Sequence, residues 1–408
     1  MTFPPVDTER LTVRTVEIGD VESLHQRRNH PDAARYQDWE FPFPLDAARR
    51  LIAEVAATGA PADREWWMGT IVEAASGTDV GDVAVRLDSA GRAATIGYSL
   101  HPDHWGRGFA TEAVGGLVDR LIDDGVRRFV ATIHPDNLAS MRVVERLGFA
   151  YEGRTVASWF EGDGPDAPTT DDLLFGLTAT MRAEWLARPT GRPALVELIE
   201  IDDTNQRAVA RLRTHYSQEH LVATVADSYG DALFPELYDG ARVKPWMRAI
   251  AIADEPEGGD DNNAHEPEGG GDNNNAHEPE GDGDDNNADE PEGGGDNNNA
   301  DQPEGGGLTL AGFVMLAVPT RPDDEPYLWR LLIDRRYQRR GIASAVLDRI
   351  EGDLRAEGHP AIWVHWEPGA GSPEPFYLAR GYEPTGAMEG TEIEGRKPLT
   401  PPEDAAPG

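Results

Sequence analysis

One loop occurs twice in this chain at one fixed distance from a second glycine. "WGRGFA" runs from Trp105 to Ala110, and Gly148 in "ERLGF" follows Gly108 by 40 residues. "QRRGIA" runs from Gln338 to Ala343, and Gly381 in "LARGY" follows Gly341 by the same 40. Either short match alone carries little. Two matches with one offset predict two copies of a single architecture within the 408 residues, each with room for its own core.

Between the halves of the second copy lies a segment of different physics. Residues 254–307 hold 19 Asp and Glu, no Lys or Arg and no aromatic residue, in a tandem repeat of about 12 residues such as "EPEGGGDNNNAH". It has no apolar side chain larger than Ala or Pro to offset ordering entropy, so it is expected to be disordered. A solenoid needs a repeating apolar position of larger size, and a calcium loop needs spaced ligands with a closing Glu. Neither is present. His265 and His277 stand alone in this stretch. The segment supplies about half of a net charge of −37. The remainder is still acidic, which argues against nucleic acid as a partner and is compatible with cationic substrates. There is no cysteine, so disulfides, thiolate catalysis and Cys metal sites are excluded. No metal site is expected. The amino terminus has no apolar signal core and no run approaches a membrane span, so a cytoplasmic protein that binds no membrane is expected.

Periodicity places the elements. In the first unit, residues 8–187, "RLTVRTV", "WWMGTIVEA", "GDVAVRLD" and "AATIGYSL" read as strands. Leu24 to Ala57 reads as two helices broken at "FPFP". A helix from Ala110 carries apolar residues at 110, 114, 117, 118, 121 and 122. "RFVATI" is a strand, and Ser140 to Leu147 a short helix. Residues 188–194 form a Pro/Gly linker. The second unit, 195–395, repeats the order, with a helix over Asn205–Tyr216, strands at "LAGFVMLAV" and "YLWRLLID", a helix from Ile342 to about Ala356, the strand "AIWVHW" and a short helix at Glu374–Arg380. A disordered tail is expected over 396–408. The fold class is α/β of the α+β type: two tandem domains, each a mixed, mostly antiparallel sheet flanked by helices.

In both copies a strand leads into the glycine loop, and the loop opens an amphipathic helix. Backbone N–H groups and the positive helix end make an anion site there. Gly108 and Gly341 permit close approach of a phosphate, and Arg107, Arg339 and Arg340 add charge. The expected ligand is a pyrophosphate. A P-loop requires Lys followed by Ser or Thr, and a dinucleotide loop requires a third glycine; both are missing, and coenzyme A remains.

The pattern Gln/Arg-x-x-Gly-x-Gly/Ala resembles the pyrophosphate loop of the GNAT acyltransferases. Gln338, Gly341 and Ala343 match it fully. Gly108 and Ala110 match in the first copy, where Trp105 stands in place of Gln or Arg. "TERLTVR", "IGYSLHPDHWGRGFATEAV" and "NLASMRVVERLGFAYEG" make the first unit similar to the RimJ/RimL-type N-acetyltransferases. "AGFVML", "YLWRLLIDRRYQRRGIA" and "SPEPFYLARGYEPTG" make the second similar to the diamine/spermidine N-acetyltransferases. The resemblance implies acetyl-CoA as donor and a primary amine as acceptor, either a small-molecule amine, a polyamine or a protein N-terminus. The cofactor-binding set it implies is Leu100, Trp105, Gly106, Arg107, Gly108, Phe109, Ala110, Thr111 and Asn137 in the first unit. In the second it is Ile333, Gln338, Arg339, Arg340, Gly341, Ile342, Ala343 and Ser344. Main-chain N–H groups near Leu100 and Ile333 would polarise the thioester carbonyl.

Aligned on the loop, Tyr377 occupies the general-acid position of the family, whereas the first unit has Val144 there. The first unit carries Asn137 and Ser140 as N-x-x-S, which implies an Asn on the CoA arm and a Ser donating a proton to the thiolate. Each nominee has a plain alternative: Tyr377 as a core aromatic, Ser140 as a helix cap, the arginines as solvated charges. The residues assign no general base. Two further readings stand beside a pair of working enzymes: one unit inactive and serving as a CoA-sensing or dimer-forming module, or a binding protein that uses its acidic loop.

Overall fold

The computed structural model describes residues 3–160, 168–235, 237–238, 241–254, 307–318 and 325–399. It divides into two compact units. Unit 1 comprises residues 1–188 with 215–220, and unit 2 comprises 189–214 with 221–408.

Unit 1 runs β1 (Val6–Asp7), β2 (Leu11–Thr15), α1 (Val21–Arg28), α2 (Pro31–Ala34), α3 (Leu45–Thr58), β3 (Trp66–Glu73), β4 (Asp79–Asp88), β5 (Ala93–Leu100), α4 (Phe109–Asp123), β6 (Arg128–Ile133), α5 (Leu138–Arg146), β7 (Ala150–Phe160), β8 (Thr169–Thr178) and α6 (Ala179–Ala187). The sheet order is β1-β2-β3-β4-β5-β6-β8-β7. Every pairing is antiparallel except β5 with β6. Alternation along each strand divides the core between two faces. Phe129, Ala131 and Ile133 pack with Val114, Leu117 and Val118 of α4. On the opposite face Val16 and Met68 meet Leu24 of α1 and Ile52 of α3.

Unit 2 repeats the plan: β9 (Leu195–Ile199), α7 (Gln206–Ala210), α8 (Val225–Leu233), the short pair β10 (Leu237–Tyr238) and β11 (Ala241–Arg242), β12 (Lys244–Ala253), β13 (Thr309–Val318), β14 (Tyr327–Ile333), α9 (Ile342–Ala356), β15 (Ala361–Trp366), α10 (Glu374–Ala379), β16 (Glu383–Glu389) and β17 (Glu392–Pro398). Its order, β9-β12-β13-β14-β15-β17-β16, has one parallel pairing, β14 with β15.

In both units that parallel pair separates. Residues 93–95 of β5 pair with 128–130 of β6, and no pairing continues towards Leu100 and Ile133. β14 and β15 pair only at Tyr327–Trp363 and Leu328–Val364. The strands therefore diverge toward their C-terminal ends and open a slot.

A glycine packs each slot from behind. Gly81 faces Leu100 across β4 and β5, and Gly312 faces Ile333 across β13 and β14. A Cβ on Gly81 would lie 2.4 Å from the Ser99 carbonyl, and one on Gly312 would lie 2.4 Å from that of Leu332. Gly81→Ala and Gly312→Ala are each expected to cost about 1–3 kcal/mol, as overpacking against backbone does. Calorimetric melting reads this, and an unchanged melting temperature would show that the backbone yields.

Four sequence expectations are corrected. The helix expected over Asn205–Tyr216 is only Gln206–Ala210, followed by a 3-10 turn at Tyr216–Gln218. It stops because the Arg213 N–H donates to Asp334 (3.2 Å) and its carbonyl accepts from the Arg335 N–H (2.8 Å). The first of the two helices expected over Leu24–Ala57 does not run to the break at "FPFP": α1 ends at Arg28, and a separate helical turn, α2, follows, started by the His30 ring and Pro31. The first unit begins before residue 8, since Val6 and Asp7 pair with β2 and Phe3 packs on Trp67. The tail begins later than residue 396: Arg396 and Lys397 pair with β15, and Leu399 is buried with its N–H on the Pro360 carbonyl. The acidic repeat lies outside the described residues apart from Asp254 and Gly307, and so does the tail beyond Leu399.

Candidate active sites

The strand, the loop and the helix form one device, built twice. The N–H of His101 donates to the Val80 carbonyl on β4 (3.0 Å), and that of Asp334 to the Ala311 carbonyl on β13 (2.9 Å). Successive strand amides alternate in direction, so the N–H groups of Leu100 and Ile333 point the other way, into the slot. The carbonyls of these same two residues are tied back by the loop. Trp105 Nε1 donates to the Leu100 carbonyl at 2.9 Å, and Gln338 Nε2 to the Ile333 carbonyl at 3.1 Å. This accounts for the one departure of the first loop from the family pattern. Indole and carboxamide each bring one N–H to a carbonyl five residues back.

The loops share their backbone. Gly106 (φ 72°) and Gly108 (φ 79°) correspond to Arg339 (φ 64°) and Gly341 (φ 77°), all left-handed. Gly108 and Gly341 cap α4 and α9 without any side-chain hydrogen bond to the first turn. The first-turn amides are thus presented to a ligand. Phe109 and Ile342 anchor each turn by full burial. Ala110, Thr111, Ala343 and Ser344 follow on the partly exposed side. Thr111 Oγ1 is buried and has no hydrogen-bond partner among the described residues. An uncapped helix start, a left-handed glycine and an orphaned hydroxyl fit an anionic ligand such as a pyrophosphate.

The arginines divide differently from the sequence expectation. Arg107 places its guanidinium on Glu73 (2.5 Å) and over the Phe109 ring (4.2 Å). Arg340 is turned inward: it is buried, donates to the Gly191 carbonyl (2.7 Å) and pairs with Asp254. Only its backbone is left to the loop, so its expected contribution of charge to a cofactor is not what this geometry offers. Sequence reasoning missed two other arginines. Arg10 donates to the Arg107 carbonyl (3.0 Å) and pairs with Glu112, and its Nη2 lies 3.5 Å from where a Gly108 Cβ would be. Arg192 Nε lies 3.3 Å from the corresponding point at Gly341. Each capping glycine thus has one arginine beside it, Arg10 from the turn between β1 and β2 and Arg192 from the chain just ahead of β9.

The proton-donor candidates lie on the α4/α5 face of unit 1 and the α9/α10 face of unit 2. Tyr377 is buried on α10, stacked on Trp366 (5.5 Å) and edge-on to Tyr382 (5.4 Å). Burial pushes its hydroxyl well above the ordinary tyrosine range. In unit 1, Asn137 caps α5 by accepting from the Ser140 N–H (3.1 Å). Ser140 itself is therefore not the cap. Its Oγ lies 2.8 Å from the hydroxyl of Tyr98, which also donates to the Ser140 carbonyl (3.0 Å). Tyr98 is a third missed residue. It stands on β5 and reaches α5, the element after β6, so this hydroxyl pair bridges the two arms of the slot. Burial raises Tyr98 as well, against a smaller opposing effect of the bond to Ser140. Among the described residues no group of three or more His, Asp or Glu could hold a metal ion. None of their helices is long and apolar enough to cross a membrane.

Comparison with known proteins finds family matches in both halves of the chain. The acetyltransferase (GNAT) domain family matches residues 10–150, and the acetyltransferase (GNAT) family matches residues 295–382. An uncharacterized N-acetyltransferase p20 of Bacillus licheniformis is 29% identical over 148 residues, 36% of this chain and 82% of that protein. The ribosomal-protein-serine acetyltransferase of Escherichia coli strain K12 is 34% identical over 82 residues, 20% of this chain and 46% of that protein. The solved structure of the Microcin C7 self immunity acetyltransferase MccE, in complex with acetyl-CoA and AMP, is 20% identical. It covers 42% of this chain and 93% of its own, with a TM-score of 0.37.

Proposed function

We propose that this chain, which belongs to the GNAT acetyltransferase family and is an N-acetyltransferase, carries two acetyl-transfer sites, one at each slot, that pass the acetyl group of acetyl-CoA directly to a primary amine. The observation that carries this reading is the repeated device: a parallel pair that parts, an N–H directed into the gap, and an uncapped helix start at the mouth.

When bound, acetyl-CoA supplies an activated thioester. The chain's own residues do the rest. Loop amides with Arg10 or Arg192 hold the pyrophosphate. The N–H of Leu100 or Ile333 stabilises the carbonyl oxygen as it gains negative charge. The amine attacks the carbonyl carbon, the C–S bond breaks, the thiolate takes a proton from the donor, and the nitrogen gives up its own proton to water, which returns one to the donor. Tyr377 gives it in unit 2. In unit 1 Ser140 gives it, with Tyr98 holding the serine proton in place. Positioning supplies most of the acceleration.

Unit 1 acts on an N-terminal α-amine or a small-molecule amine; the name of the Escherichia coli relative supports a protein acceptor for this chain. Unit 2 acts on a polyamine-like or other small amine. A cytoplasmic location accompanies this reading. The test is incubation of the full chain with acetyl-CoA and a panel of amines, following free thiol and acetylated amine together. Equal amounts of the two are expected. Thiol release without acetylated amine would reject an amine acceptor.

A further inference from the structure

The tripeptide His-Pro-Asp occurs three times in unit 1, at His30–Asp32, His101–Asp103 and His134–Asp136. All three copies stand at one place in the fold. His101 follows the last residue of β5, and His134 follows the last residue of β6, so they mark the two lips of the slot. His30 caps α2. Its ring packs edge-on to His101 at 5.7 Å, while Tyr36, just beyond α2, packs on His134 at 4.9 Å. The segment from His30 to Tyr36 therefore spans the slot from lip to lip. Strand alternation puts His101 and His134 on the α1/α3 face, opposite the face that carries Ser140 and Tyr98. An acceptor entering from this side meets the thioester from the face away from the proton donors.

The three rings share a tautomer. His30 Nδ1 accepts from the Asp32 N–H (3.3 Å), His101 Nδ1 from that of Asp103 (3.3 Å), and His134 Nδ1 from that of Asp136 (3.1 Å). A ring nitrogen that accepts carries no proton, so each neutral imidazole holds its hydrogen on Nε2. Nε2 is on the ring edge turned away from its own turn. All three rings are half-buried and remain in reach of solvent. The lips thus present N–H donors rather than bases. Beside them stand the exposed carboxylates of Asp32, Asp103 and Asp136. Donors match acceptor oxygens, and carboxylates attract an incoming ammonium.

We propose that the three His-Pro-Asp turns form the acceptor wall of unit 1 and select an amine carried beside a carbonyl or carboxylate oxygen over a plain alkylamine or polyamine. The inference rests on the reading of unit 1 as a working acetyltransferase. His30, His101 and His134 are specificity-determining residues in it, binding the acceptor without exchanging its proton.

The test uses the full chain with unit 2 silenced by Gly341→Glu, and compares glycinamide with propylamine as acceptors. His101→Phe and His134→Phe are each expected to raise KM for glycinamide about ten-fold, the upper range for one lost hydrogen bond. KM for propylamine and kcat for both amines stay within about two-fold, a change too small to count as a lost hydrogen bond. His101→Gln and His134→Gln, which keep an N–H near the Nε2 position, restore most of the loss. Equal effects on the two amines, or no rescue by Gln, overturn the proposal. Nitrogen-15 NMR of the unsubstituted histidines is a second readout that needs no variant to fold. Protons on Nε2, with resonances that move on adding glycinamide and not propylamine, are expected; protons on Nδ1 overturn the proposal. Transfer to neither amine overturns the reading of unit 1 as an enzyme, a result distinct from transfer without discrimination.

Discussion

Replacing Gly341 by Glu is expected to lower the affinity of unit 2 for acetyl-CoA by about a hundred-fold or more, and Gly108→Glu to do the same in unit 1. Two effects lower affinity together, and a third, the backbone cost, acts on the fold alone. The capping position has φ 77° or 79°, which costs a residue with a Cβ about 1–2 kcal/mol. A carboxylate placed there folds back on the first-turn amides, as capping acids do, and occupies the donors that a phosphate needs. It also meets the neighbouring arginine, since the new Cβ lies 3.3 Å from Arg192 Nε or 3.5 Å from Arg10 Nη2. Each charge-assisted hydrogen bond denied to the ligand is worth about 1.5–3 kcal/mol, so two suffice for the stated loss. Because an acidic cap stabilises a helix start, melting temperature should change little, which separates lost binding from lost folding. Calorimetric titration should find two acetyl-CoA sites in the unsubstituted chain and one in each variant. Loss of both sites with a single glycine would show that the cradles do not work separately.

What the sequence disclosed follows from where local pattern and tertiary demand coincide. The run from β5 through Gly108 into α4 was readable because its hydrophobic period changes from two to 3.6 across a glycine whose left-handed backbone no other residue adopts cheaply. The same holds for α9, whose observed span Ile342–Ala356 equals the reading. β7 escaped because it lies at the sheet edge with most of its side chains exposed, so no alternation marks it. Other features belong only to three dimensions. Ser217 gives its N–H and hydroxyl to the buried carboxylate of Glu145 (2.9 and 2.6 Å), and Tyr216 stacks on Tyr151 at 3.9 Å. Residues 215–220 thus complete unit 1 although the chain has already begun unit 2. Arg340 reads as loop charge and is in fact an internal tether. The hydroxyl partner of Ser140 comes from 42 residues upstream. The triple His-Pro-Asp was a legible signal that went unread, since its meaning depends on three turns meeting at one slot.

The largest effect on turnover is expected at Tyr377. With unit 1 silenced by Gly108→Glu, Tyr377→Phe should reduce kcat by about 10²–10⁴-fold, the range for a lost general acid. Its affinity for acetyl-CoA should hold within about three-fold, less than one hydrogen bond is worth. The substitution is a clean one. Phenylalanine keeps the ring that stacks on Trp366 and meets Tyr382, so the core of unit 2 and its melting temperature should be preserved. The pH dependence gives an independent sign. Burial raises the Tyr377 pKa above its ordinary value, so the hydroxyl keeps its proton below that raised value and loses it only above. An acid of this kind is fully present at neutral pH and at pH 9. Between those values kcat at saturating amine should not fall through ionisation of Tyr377. A tyrosine in the ordinary range would begin to lose its proton just above pH 9. Ser140→Ala in unit 1 should show the corresponding loss in smaller degree, because Tyr98 still stands at the slot and can order a water in the vacated position. If Tyr377→Phe left kcat unchanged, Tyr377 would be a core aromatic that supports Trp366, and the leaving thiolate of unit 2 would take its proton from solvent reaching the parted strands.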